Sequence, residues 1–202
     1  MHTLPTGTVL HRIAPYAYPA DGFNPRASHR YYAGGRFEST EDDRYHYCYA
    51  ATTLPAAIAE RLLRDLDPDE TGTVVLPRTS LDGLHACTAY TTRTLNLVDL
   101  MGLEGLSAVA QTAWLTTADP RDYAQTRHWA HWIRSQAPGA DGFIWVSRRE
   151  QAEHCVILFE DPKPTSPPKL APGDPSTFTR LDDDKGREWL RCHLAPFHAT
   201  VA

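Results

Sequence analysis

Gly34-Gly35-Arg36-Phe37, Tyr49-Ala50-Ala51 and Ala56-Ala57-Ile58-Ala59-Glu60 bring together a backbone-permissive turn, an arginine, a tyrosine and a carboxylate that local packing does not require. This stretch is the candidate active site. Its last part falls in the segment from Thr53 to Leu66. There Thr53 is an N-cap candidate and Pro55 suits a first helical turn. Ile58, Leu62 and Leu66, with Ala59 and Leu63 beside them, make an apolar stripe of helical period. Glu60 projects to one side of that stripe, and the small Ala56 and Ala57 leave room beside its carboxylate. Two readings stand at this point. One is a solvated glutamate paired with Arg64 at i,i+4, worth roughly a few tenths of a kcal/mol; the other is a carboxylate that does chemistry. Spacing alone favours the first.

Working outward, 202 residues that are 42% hydrophobic and 22% charged suit one globular domain with a small appendage. A formal net charge of -5 and a pI near 6.0 argue against nucleic acid as a direct partner, while leaving room for a local basic pocket. No run approaches the roughly 18 apolar residues of a membrane span, and Met1-His2-Thr3-Leu4-Pro5 lacks a signal-peptide layout. No membrane partner is therefore expected, and a cytoplasmic location is the default expectation. Cys48, Cys87, Cys155 and Cys192 are far apart with no C-x-x-C pair, which supports neither a zinc ribbon nor a redox pair. Two of them lie in apolar or aromatic runs, as buried free thiols do.

Thr8 to Ile13 reads as a strand with Arg12 near its end. Arg26, Arg30 and Arg36 then gather among Tyr31, Tyr32 and Phe37, a set that suits an anion such as phosphate, although a surface loop with its arginines in solvent is the reading the sequence alone favours. Glu38 to Arg44 is a polar, acidic surface loop. In Tyr45-His46-Tyr47-Cys48-Tyr49-Ala50 the alternation puts three tyrosines on one face of a strand, as core or as a platform for a planar ring. Further strands are expected at Thr73–Leu76, Leu95–Val98, Phe143–Arg149 and Cys155–Phe159, and a weak helix at 102–113. A better-marked helix starts with Asp119 as cap and Pro120 at its first position. It carries the pattern Tyr123, Arg127, Trp129, Ala130, Trp132, Ile133, and Pro138-Gly139 stops it. His128 and His131 have a spacing a metal could use, but no third ligand accompanies them, so no metal is expected. Ser147 closes a strand, where it could donate to a ligand or merely terminate the strand. Six prolines between 161 and 175 mark an extended linker or wrapping arm outside the core, and a short amphipathic helix follows near Leu181 to Leu194.

Taken in order, Arg12, Gly35-Arg36-Phe37, Tyr49-Ala50-Ala51 with Glu60 eleven residues on, Asn96-Leu97-Val98-Asp99-Leu100, and Ala140-Asp141-Gly142-Phe143 leading to Ser147-Arg148 resemble the RES domain, a family named for its Arg, Glu and Ser. The resemblance covers residues 8–160, leaving 161–202 as a proline-rich linker and C-terminal tail. It implies a single-domain α/β (α+β) fold similar to ADP-ribosyltransferase toxins, with mixed sheets and flanking helices. It further implies a cleft that takes NAD+ as substrate and breaks the nicotinamide–ribose bond, by hydrolysis or phosphorolysis, as the toxin of a toxin–antitoxin pair. Glu60 would stabilise the ribosyl cation, and Arg12 and Arg36 would hold the diphosphate. Tyr49 would stack on or hydrogen-bond the nicotinamide end, and Ser147 would bond to ribose or nicotinamide. The implied partner is a helix-turn-helix antitoxin; a homo-oligomer is left open. The alternatives are a mono-ADP-ribosyltransferase acting on a protein and a non-catalytic module that binds a nucleotide or peptide.

Overall fold

Residues 1–163 and 167–202 are described by the computed structural model, and period-two patterning accounts for most of what they form. In chain order the elements are β1 (His2–Leu4), β2 (Val9–Pro15), β3 (His46–Ala51), α1 (Leu54–Ile58) running into a π-helical turn (Ala59–Leu63), β4 (Val74–Leu76), β5 (Leu84–Thr91), β6 (Leu95–Asp99), α2 (Gly102–Ala108), α3 (Trp114–Thr117), α4 (Tyr123–Gln136), β7 (Gly142–Val146), β8 (His154–Glu160), β9 (Leu170–Pro172), β10 (Thr179–Arg180), α5 (Asp184–Leu194) and β11 (Ala199–Val201). The main sheet has the order β1-β6-β7-β8-β3-β2-β5-β10, with β9 also on β5; β6 and β7 are parallel and the other pairs antiparallel. β4 and β11 form a separate parallel pair.

Each central strand feeds two cores. Tyr47, Phe143, Trp145, Ile157 and Phe159 face Ile58, Leu62, Leu63, Ala130 and Ile133 of the helices. Their alternates Cys48, Ala50, Ile144, Val156 and Leu158 face Leu4, Leu10, Ala89, Leu95, Leu97 and Leu170. The sheet is weakest between β2 and β3, which share one paired position, His11 with Ala51, against seven between β2 and β5 and six between β3 and β8. Beyond it the two strands part, and the opening is the cleft.

Several boundaries differ from the sequence reading. Thr53 does cap, its Oγ1 accepting from the Ala56 N–H at 3.4 Å, but the α-helix ends at Ile58 and the next turn is π-helical. Asp119 makes no side-chain cap; a single 3-10 turn over Pro120–Asp122 intervenes before α4. Arg12 sits mid-strand because β2 continues to Pro15. The proline-rich arm, read as lying outside the core, in fact buries Leu170 and adds β9 to the edge of β5, where Pro172 costs no inner ladder bond. Pro164 lies outside the described residues. The tail likewise joins the main core through Leu181, Leu190, Leu194 and Val201, so the chain forms one domain.

Asp141 ties the arm to the sheet. Its carboxylate accepts from Arg93 at 2.6 and 3.1 Å and from the Asn96 amide at 3.0 Å, and Lys169 Nζ lies at 3.3 Å. Burial alone would raise its pKa, but Arg93, Asn96 and Lys169 hold it below the ordinary value. The stability it contributes is therefore present above the ordinary value of 3.8 and lost as pH falls through the lowered one. Asp141→Asn is expected to cost about 2–4 kcal/mol at neutral pH by leaving two cations unpaired. In chemical denaturation the gap to wild type should close as the pH is taken below the carboxylate range.

Candidate active site

The first helix and its π turn cross the mouth of the split sheet and deliver Glu60 into a cleft of ≈390 Å³. Its walls include Arg12, Ile13 and Tyr18 on one side, Tyr47, Tyr49 and Ala50 on the other, and Gly34, Gly35, Glu38, Ala57, Arg61 and Arg64 around the rim. Single π turns recur at functional sites because they re-aim side chains at a cost in hydrogen-bond geometry. Here the re-aimed side chain is a carboxylate. One of its oxygens, Oε1, is approached by Arg64 Nη1 at 3.2 Å and Arg36 Nη1 at 3.4 Å. The other, Oε2, is buried with no hydrogen-bond partner in the protein.

Arg36 is the more unusual member. Its side chain is 1% exposed, and its guanidinium lies 5.7 Å from the Phe37 ring and 5.9 Å from the Tyr123 ring. None of its three nitrogens makes a hydrogen bond within the protein. Buried donors are almost always satisfied, so a guanidinium whose one polar neighbour is Glu60 Oε1 at 3.4 Å, beside an unpartnered carboxylate oxygen, is an unusual arrangement. Arg64, by contrast, is fully engaged: it grips Asp65 at 3.0 and 3.1 Å, and the Tyr123 hydroxyl donates to the same Asp65 at 3.2 Å.

The tyrosine face does structural as well as site work. Tyr49 Oη accepts from the Phe37 N–H at 2.9 Å, and the Tyr45 hydroxyl donates to the Phe37 carbonyl at 2.9 Å, so both hold the backbone next to Arg36. Tyr47 Oη accepts from Asn24 Nδ2 at 2.8 Å. Burial, reinforced by nearby Glu38, raises the Tyr49 pKa, so its hydroxyl stays protonated and can still donate into the cleft. Tyr49→Phe is expected to loosen the Arg36 turn and lower stability by about 1–2 kcal/mol, read as a shift in the denaturation midpoint. Gly34 has φ +76°, and a Cβ there would stand 2.5 Å from Ser28 Oγ; the turn admits little else.

Residues 9–180 match the model of the RES domain. The chain belongs to the RES domain family. One solved structure, the M. tuberculosis MbcT–MbcA toxin–antitoxin complex, has a chain that superposes with a TM-score of 0.57 at 16% identity, covering 85% of this chain and 84% of that one. That likeness shows a shared fold, here a mixed sheet with flanking helices. No curated protein matches the sequence.

Within this RES domain, Arg12, Tyr49 and Glu60 reach the cleft wall and Arg36 stands directly behind Glu60. Arg12 Nη1 is committed to the carbonyls of Pro19 and Ala20, leaving its Nε without a partner. Ser147 does not line the cleft: it is buried, its Oγ accepts from the Glu150 N–H at 3.4 Å, and it neighbours the Cys155 thiol. Arg26 and Arg30 do not converge with Arg36; both are exposed, and Arg30 pairs with Asp42 at 3.2 Å. Sequence reasoning passed over Glu38, Asp65 and Asn24, which carry no local pattern. It placed Arg127 in the helix pattern without giving it a role, although an arginine on the apolar face of α4 was the available signal.

Proposed function

We propose that this RES domain consumes NAD+ by cleaving its nicotinamide–ribose bond, as a glycohydrolase or phosphorylase, and acts as the toxin of a toxin–antitoxin pair. The observation that carries the reading is a buried pair: Glu60 on the cleft wall with Oε2 unpartnered in the protein, and Arg36 directly behind it, its Nη1 3.4 Å from Glu60 Oε1 and its other nitrogens unpartnered. Breaking the bond leaves an oxocarbenium-like ribose and a neutral pyridine, so a fixed carboxylate beside the ribose is stabilising as positive charge develops. The diphosphate brings negative charge into a chain that is acidic overall, and Arg36, Arg61, Arg64 and the free Nε of Arg12 supply the local positive field. Tyr49 serves as a neutral donor at the nicotinamide end.

An antitoxin partner is supported by the toxin–antitoxin complex that shares the fold; we take it to be a helix-turn-helix protein that covers the cleft. The deciding experiment is the cellular NAD+ level after brief induction of wild type and of Glu60→Gln, with phosphate varied in a parallel purified assay. A fall with wild type alone is expected, and phosphate dependence then separates phosphorolysis from hydrolysis. Steady NAD+ from a folded wild-type protein would sink the depletion reading, and a label transferred from NAD+ to protein would replace it with ADP-ribosyl transfer.

A further inference from the structure

Arg127 lies in the middle of α4, 1% exposed, at a position where helical periodicity calls for an apolar side chain. Among the described residues no carboxylate lies within ion-pair distance of it. All its hydrogen bonds go to backbone carbonyls of one loop: Nη1 donates to Ala33 O at 2.8 Å and Gly35 O at 3.1 Å, and Nη2 to His29 O at 3.1 Å and Arg30 O at 3.4 Å. The loop is folded round the guanidinium as round a bound cation. It also contains a conformation that would not persist unaided, since Ala33 has φ +50°, a left-handed backbone that a residue with a Cβ adopts only when its surroundings impose it.

The residue that follows the clamped Gly35 is Arg36. Its own carbonyl accepts from Thr126 Oγ1 at 2.8 Å, from the residue beside Arg127 on the same helix. The Phe37 amide and carbonyl are taken by Tyr49 and Tyr45. Carbonyls 33, 35, 36 and 37 are thus each held, and the side chain between them is the one whose donors are idle.

We propose that Arg127 is a positioning residue for Arg36: by clamping the carbonyls of His29, Arg30, Ala33 and Gly35 it fixes the turn from which the Arg36 guanidinium is presented to Glu60 and the cleft. The clamp rests on the proposed NAD+ reading only in what Arg36 is presented to. The geometry of the loop stands without it. A displacement of about 1 Å at a positioned group can cost about 100-fold in rate, so the effect should be large even though Arg127 does not line the cleft.

The test uses the full chain with Arg127→Met and Arg127→Lys, and Arg127→Ala for chemical rescue. The first keeps length without charge; the second keeps charge but cannot fork to four carbonyls. Trypsin cleavage at Arg30 is expected to accelerate at least about tenfold in both, while far-UV dichroism stays native. The kcat/KM for NAD+ should fall about 10- to 100-fold, and millimolar guanidinium should recover part of the loss in Arg127→Ala but none in Glu60→Gln. A role confined to stability would lower the melting temperature while leaving loop cleavage and kcat/KM per folded molecule unchanged; that result overturns the proposal. So does failure of both variants to fold with guanidinium present. If the wild type does not cleave NAD+, the proposed function fails, and the trypsin comparison still decides the clamp.

Discussion

Glu60→Gln is expected to lower kcat for NAD+ cleavage by a factor of about 10²–10³, or about 3–4 kcal/mol, with KM changed only a few-fold. The amide is isosteric and leaves in place the arginines proposed to hold the diphosphate, so ground-state binding should be largely kept. What disappears is the negative charge that opposes the ribosyl cation, and that interaction exists in full only at the transition state. Equal losses in kcat/KM and kcat would confirm it; a large rise in KM with unchanged kcat would reassign Glu60 to substrate binding. The substitution also leaves Arg36 and Arg64, at 3.4 and 3.2 Å from the same oxygen, facing a neutral group. The free protein should therefore lose stability as well as activity.

How much of this was legible in the sequence depends on whether a signal is local. The tyrosine alternation, the Thr53 cap and the apolar stripe through Ile58 and Leu62 were readable because each follows from one strand or one helix. Strand β5 was not read: Leu84-His85-Ala86-Cys87-Thr88-Ala89-Tyr90-Thr91 is poor in branched apolar residues because it is flanked on both sides in the sheet and buries small side chains such as Ala86 and Ala89. The π turn was invisible for a similar reason, since the same residues make a good α-helix and only the tertiary setting of Glu60 selects the wider one. The arm from 161 onward misled because proline content speaks for an extended chain, and β9 is extended while also paired and partly buried. For the site, the order of Arg12, Arg36, Tyr49 and Glu60 was readable, whereas the i,i+4 pairing of Glu60 with Arg64 hid its more telling contact with Arg36. Both pairings exist at once, so the bland reading of Glu60 was right about Arg64 and wrong about solvation, the side chain being 11% exposed with Oε2 buried.

Arg36→Met should make the free protein more stable and the enzyme nearly inactive. A buried guanidinium with no hydrogen-bond partner is an uncompensated desolvation, and neither a single 3.4 Å approach to Glu60 nor two aromatic rings at 5.7 and 5.9 Å replace what water would give it. Met fills the same volume between Phe37 and Tyr123 without that cost, and Arg64 remains at 3.2 Å to keep Glu60 paired. The expected gain is about 1–3 kcal/mol, with each kcal/mol raising the melting temperature by roughly 2–4 °C in a chain of this size. Activity should fall at least about 100-fold if, as proposed, the cation behind Glu60 serves the substrate. Added ADP-ribose should narrow the difference in melting temperature, since it stabilises wild type by filling those donors and gives the variant less. If Arg36→Met instead melts lower than wild type, the guanidinium is already satisfied in the free protein, and the cleft is not held open at the expense of stability.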